Sequence, residues 1–157
     1  MAEPSPSSEK SPRLAVRAVL VRDDRLLLVN AWPAGRSDLL CAPGGGVKRG
    51  SSLPDNLARE VHEETGLRVE VGSPCLINEF HDPRSGFHQV EVFFRCWIDG
   101  PADVPLGWKD AGRVVSEHHW LTAEEIVARR VKPDALAQIA FAENAVVSYD
   151  PLERILF

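Results

Sequence analysis

The chain has 157 residues, enough for one domain with a substantial core, and a formal net charge of −5. That acidic balance, with no basic tract, argues against nucleic-acid or anionic-membrane binding; a small phosphorylated ligand stays open because a bound divalent cation reverses the local sign. Three scattered cysteines (Cys41, Cys75, Cys96) with no C-x-x-C pair, and no apolar run of membrane-span or signal-peptide character, predict a cytoplasmic protein with reduced thiols and no membrane contact.

The opening stretch is rich in Pro, Ser and Glu and predicts a flexible tail over residues 1–13, leaving residues 14–157 as a single domain. "LAVRAVLV" (Leu14–Val21) and "RLLLVNA" (Arg25–Ala31), separated by "RDD", predict a hairpin. A helix is predicted over Leu53–Thr65. Ser52 suits its N-cap, Pro54 falls in the first turn where a missing N–H costs little, and Gly66 suits the position that stops it. "LRVEVGSPCLINEFHD" predicts a strand. "FHQVEVFFRCWI" predicts a stronger one, with Val90, Val92, Phe94, Cys96 and Ile98 on one face. The following "GPADVPLGWKDAGRVV" predicts a long irregular connection. "EHHWLT" predicts a short strand running into a helix that Thr122 caps and Glu125 closes as a capping box. Pro133–Ala145 predicts a last helix, with Leu136, Ile139 and Ala140 at helical spacing. The sum is an α/β domain built on a mixed sheet. The closing "VVSYDPLERILF" is open between a homodimer element and a packed tail.

"REVHEETG" places three carboxylates within five residues. On a helix, Glu60, Glu63 and Glu64 fall within an arc of roughly 100°, beside the Leu57, Ala58 and Val61 stripe that would face the sheet. Like charges crowded at the margin of a core oppose ionisation and destabilise the empty protein, a penalty that a hard divalent cation such as Mg²⁺ removes. A solvated acidic face, with Arg59 and Glu63 as an i,i+4 ion pair, explains the same residues equally well. The glycines upstream add weight to the first reading. Gly44, Gly45 and Gly46 precede a capped helix and let backbone approach a ligand closely.

Gly45, Arg59-Glu60-Val61, Glu63-Glu64 and Gly66-Leu67 resemble, at the right spacing, the Nudix box G-x5-E-x7-R-E-U-x-E-E-x-G-U, where U is apolar. Eight of the nine specified positions match; Ser51 stands at the first glutamate. Pro43-Gly44 and "HHWLTAEEI" also resemble the family, and the similarity runs roughly from Leu14 to Asn144. The resemblance implies a Nudix-type α/β/α sandwich with a mixed sheet. It also implies a metal-dependent pyrophosphohydrolase that cleaves a nucleoside diphosphate linked to another moiety, such as ADP-ribose or an NTP.

The resemblance implies Mg²⁺ or Mn²⁺ held by Glu60, Glu64 and the Gly45 carbonyl. Glu63 is a further ligand or the group that deprotonates the attacking water, and Arg59 orients the carboxylates. Glu117, before the "HHW" strand, is the alternative general base, with Asp110 behind it. Trp32, Arg36, Phe80 and Arg84 are the candidates for binding a small-molecule nucleotide by stacking and phosphate contact. His81 and His88 fit structural hydrogen bonding better than catalysis, and Trp97, Trp108 and Trp120 fit packing or surface anchoring. Ser51 brings no charge, and Lys48 and Arg49 make the loop basic, which predicts fewer or more weakly held metal ions. It also keeps open a non-catalytic nucleotide-binding sensor. An RNA 5′-end pyrophosphohydrolase is a second alternative, disfavoured by the acidic charge.

Overall fold

The computed structural model describes residues 11–143 and 146–157. The predicted hairpin is present as β1 (Arg13–Arg22) and β2 (Arg25–Asn30), turned by Asp23 and Asp24 at φ 50° and 57°. Two left-handed turn residues give the twist a two-residue hairpin needs, and aspartate tolerates that conformation because its side chain can bond local backbone. The two strands share only the pairs Val21–Leu26 and Arg22–Arg25, then diverge. β1 runs on between β4 (Gly44–Gly46), antiparallel, and β6 (Phe87–Ile98), parallel. β5 (Val69–Asp82) pairs antiparallel with β6, and β8 (Ser148–Arg154) lies parallel to β5 at the edge. β2 continues between β3 (Leu40–Cys41) and β7 (His118–Thr122), both antiparallel to it.

α1 spans Leu53–Thr65, with both ends set by the residues that predicted them. The Ser52 hydroxyl accepts the Asp55 N–H at 3.1 Å, and Gly66 (φ 72°) donates its N–H to the His62 carbonyl at 2.8 Å. Leu57 and Val61 of α1 are fully buried against Val16, Ala18, Leu20, Leu27, Phe94 and Cys96. The opposite sheet face buries Val19, Leu28, Leu76 and Phe93 beneath α2 (Ala123–Val127) and α3 (Leu136–Phe141). Helices on both faces of a mixed sheet make the α/β/α sandwich that the sequence predicts. The Thr122–Glu125 capping box is formed in both directions.

Three expectations are refined. β1 begins at Arg13, one residue inside the predicted tail, whose residues 1–10 lie outside the described ones. The helix predicted over Pro133–Ala145 is only the six residues of α3. The Pro133 carbonyl is taken by the Leu136 N–H as a turn, and Ala142 leaves helical geometry; Asn144 and Ala145 lie outside the described residues. The C-terminal segment is an intrachain strand, β8, and Ile155 beyond it donates its N–H to the His81 carbonyl at 2.8 Å.

Gly66 tests the helix stop. A Cβ there would sit at left-handed φ and come within 2.7 Å of the Trp108 ring. Gly66→Ala is expected to cost about 1–3 kcal/mol in urea unfolding. A cost below about 0.5 kcal/mol would mean that the Trp108 loop yields freely.

Candidate active site

The three box carboxylates leave α1 at three depths. Glu64 is 9% exposed, and one of its oxygens accepts the Gly44 N–H at 3.1 Å. Glu60 lies along Gly45, where an added Cβ would meet its carboxylate oxygen at 2.6 Å; only glycine permits that approach. Glu63 has the more open side chain, 36% exposed against 16% for Glu60. Arg59 ties them together, reaching Glu60 at 2.9 Å and Glu63 at 3.4 Å, with its other nitrogen on Asn56 Oδ1 at 3.0 Å. Among the described residues, no three His, Cys, Asp or Glu side chains already converge as a metal cage. The guanidinium of Arg59 stands among the carboxylates as their counter-charge.

Asn56, 1% exposed, organises the loop in front of α1. It accepts the Lys48 N–H at 2.9 Å and donates to the Ser52 and Ser51 carbonyls at 2.8 and 3.2 Å. Ser51 itself is exposed. At the other end of α1, Trp108 donates its indole N–H to the Glu63 carbonyl at 2.9 Å, and a His118 ring nitrogen lies 2.9 Å from the Glu64 carbonyl. The long irregular connection is thus pinned on the helix that carries the acids. Asp110 in that connection contributes to the field at Glu64 and accepts N–H groups of Gly112, Val114 and Val115. Glu117 is exposed, and its N–H goes to Asn30 Oδ1 at 3.0 Å.

β4 has a second flank. A cavity of about 240 Å³ opens there, lined on its floor by Arg13 and Arg17 of β1, Asn78 and Phe80 of β5, and Gln89 and Glu91 of β6. The box carboxylates are not in its wall, but the arginines connect the two. Arg17 donates to the Gly44 carbonyl at 3.2 Å, and the Arg13 guanidinium lies against Gly46. Of the four predicted substrate residues, Trp32 and Phe80 line this cavity. Trp32 has one face stacked on Phe157 at 5.0 Å and gives its indole N–H to the Leu156 carbonyl. Arg36 is exposed outside the cavity, and Arg84 sits in the β5–β6 turn beside a separate shallow cleft. The cations in the cavity wall are instead Arg13, Arg17, Lys132 and Arg154. Sequence reasoning missed the rest of the floor, Arg13, Arg17, Asn78, Gln89 and Glu91, because these residues come from strands far apart in the chain. The signal was in "FHQVEVFF", where Gln89 and Glu91 share a face with the buried Phe93. His88 is paired with Glu79 at 3.1 Å, and Trp120 packs beneath α1, both structural roles; Trp97 is 56% exposed.

Burial pushes the Glu64 carboxyl up to about 8; Asp110 and Glu60 add to the effect, while Arg17 and the Gly44 N–H oppose it. The folded protein therefore holds this proton more tightly than the unfolded chain does. The resulting stability is complete below the ordinary glutamate value of 4.5 and is lost as pH rises through about 8. In chelator, the wild type is expected to lose on the order of a few kcal/mol more than Glu64→Gln between pH 5 and pH 8.5. Parallel pH profiles in urea unfolding would contradict this.

Comparison with known proteins accords with this geometry. The NUDIX domain family model matches residues 11–141. A MutT-like protein of Streptomyces ambofaciens is 33% identical over 147 residues, which is 89% of this chain and 85% of that protein. An ADP-ribose pyrophosphatase of Methanocaldococcus jannaschii is 28% identical over 83 residues, 53% of this chain and 49% of that one. The chain spans less than half the length of that and some other curated relatives. The structure of an ADP-ribose pyrophosphatase from Streptococcus suis superposes with a TM-score of 0.64 at 22% identity, over 89% of this chain and all of that one, a likeness of fold. With a family match across most of its length and the box carboxylates gathered on a glycine strand, the chain belongs to the Nudix hydrolase family.

Proposed function

We propose that the protein is a metal-dependent pyrophosphohydrolase of nucleoside diphosphates linked to a second group, with Mg²⁺ or Mn²⁺ as cofactor. The observation that carries this reading is the pairing of two flanks on one strand. Glu60 and Glu64 rest on Gly45 and Gly44 from one side, and a cavity with aromatic and cationic walls opens on the other. The donor set is all oxygen, which suits a hard divalent cation: Glu60, Glu64, the Gly45 carbonyl and, more loosely, Glu63. The close approach of Glu60 to Gly45 brings a carboxylate and backbone together without an intervening side chain. A bound cation supplies Lewis-acid stabilisation of charge on the bridging and leaving oxygens.

The chain's own residues divide the remaining work. Glu63, the more open carboxylate, is the proposed general base: it would hold a water and take its proton as the water oxygen bonds to phosphorus. The P–O bond to the bridging oxygen then breaks, giving a nucleoside monophosphate and the phosphorylated second group. Arg59 positions Glu60 and Glu63 by ion pairing. Asp110 and Glu117 remain alternative bases; Asp110 has the better support, because its charge is felt at Glu64. Arg13, at the junction of cavity and glycine strand, is suited to the diphosphate, with Trp32 and Phe80 beside the nucleoside. Ser51 supports a second reading, a nucleotide sensor without turnover.

A panel of NTPs, ADP-ribose and dinucleoside polyphosphates with Mg²⁺ or Mn²⁺ separates the two. Metal-dependent turnover is expected on at least one compound, with Glu63→Gln lowering kcat by about 10²–10⁴. Tight nucleotide binding with no turnover on any of them would leave the sensor. Ser51→Glu is expected to lower the Mg²⁺ concentration for half-maximal rate several-fold, since it adds a carboxylate near an oxygen-ligand site. An unchanged Mg²⁺ dependence would show that position 51 does not contribute to the metal site.

A further inference from the structure

The last four carbonyls of an α-helix have no partner inside it, and in α1 they belong to His62, Glu63, Glu64 and Thr65. The Gly66 cap supplies one donor, its N–H on the His62 carbonyl at 2.8 Å. Leu67 supplies none, because its N–H goes to Thr65 Oγ1 at 3.1 Å. The carbonyls of Glu63 and Glu64 are met from much further along the chain. Trp108 Nε1, 45 residues on, donates to the Glu63 carbonyl at 2.9 Å, and His118 Nε2, 54 residues on, lies 2.9 Å from the Glu64 carbonyl. A carbonyl only accepts, so that Nε2 carries its hydrogen.

The two donors share one brace. Between them, Asp110 accepts the N–H groups of Gly112, Val114 and Val115. Asn30 of β2, 2% exposed, accepts the Ser116 and Glu117 N–H groups at 2.9 and 3.0 Å and donates to the Val114 carbonyl at 2.7 Å. The Trp108 ring is also met edge-on by His62 at 5.3 Å and lies against Gly66. The segment from Trp108 to His118 is thus a clasp fixed on β2 and closed on the last turn of α1.

Both donors fall on residues of the acidic cluster. Glu64 is held at two ends, its carboxylate on the Gly44 N–H and its carbonyl on His118. Glu63 has Arg59 at its carboxylate and Trp108 at its carbonyl. Carboxylate and carbonyl are joined through Cα, so a shift of the last turn carries the acid with it, and a metal site tolerates displacements of only about 0.5 Å. Given the reading that these acids hold a divalent cation, we infer that Trp108 and His118 are positioning residues, whose ring N–H groups keep Glu63 and Glu64 in the arrangement that the cation requires.

Mn²⁺ binding, followed by the electron paramagnetic resonance signal of the free ion, tests this without requiring turnover. Trp108→Phe keeps an aromatic ring and removes the N–H. His118→Leu removes the other donor, and His118→Gln restores a side-chain N–H. Trp108→Phe and His118→Leu are each expected to weaken Mn²⁺ binding about tenfold, with His118→Gln recovering most of the loss. Melting each variant in chelator separates positioning from support of the fold. Wild-type Mn²⁺ affinity in both Trp108→Phe and His118→Leu, with or without a lowered melting temperature, overturns the inference; retention in one alone, or no recovery in His118→Gln, overturns the role of that residue. Weakened binding in the variants, with no turnover of any nucleotide by the wild type, removes the hydrolase reading and keeps the clasp. A wild-type protein that binds no Mn²⁺ overturns both.

Discussion

The contact between α1 and β4 has side chains on only one of its two sides. Glu60 and Glu64 project from the helix onto a run of three glycines, and at Gly45 no Cβ stands between carboxylate and backbone. Three consequences follow from that closeness. The Gly44 N–H can be given to Glu64, so a carboxyl that would be costly to bury acquires a partner. The carboxylate of Glu60 comes against the backbone of Gly45 with no side chain between them. β4 is also thin enough for Arg17 to reach the Gly44 carbonyl from the far side.

Arg17 makes the two flanks one electrostatic unit. Burial works against its charge, but the Glu91 carboxylate outweighs it and holds the guanidinium firmly protonated. A cation fixed there lowers the cost of charge on Glu64, offsetting part of its desolvation. The same guanidinium holds Glu91, which orients Asn78 and Gln89. The polar layer under the cavity and the acidic cluster on α1 thus share one positive centre, and a change at either is felt by the other.

What could be read from the sequence was what is encoded locally. α1 ends where Ser52 and Gly66 place its ends, because capping is chemistry within four residues. The hairpin and the Thr122 capping box were legible for the same reason. The box carboxylates were legible because one helix carries them all. β8 was not: Pro151 and Asp150 weaken its strand signal, and its pairing with β5 spans about half the chain. The cavity floor was hidden by alternation itself. Gln89 and Glu91 alternate with Val90 and Val92 and so resemble a solvent face, yet a polar layer inside the sandwich has the same pattern. Arg36 and Arg84 have the charge of phosphate contacts, but the cavity draws its cations from β1, β8 and the segment before α3.

The loop that carries Ser51 is held by contacts that do not involve its side chain. A glutamate there could serve the loop's shape or the site's charge, and the shape is already secured. Asn56 holds the loop through the Lys48 N–H and the Ser51 and Ser52 carbonyls, and the same side chain accepts Arg59, which in turn holds Glu60 and Glu63. The chain of contacts from loop to carboxylates runs through Asn56, bypassing the side chain of residue 51. Serine at this position therefore leaves the geometry of the acids in place, because the contacts that hold them run through Asn56 and Arg59.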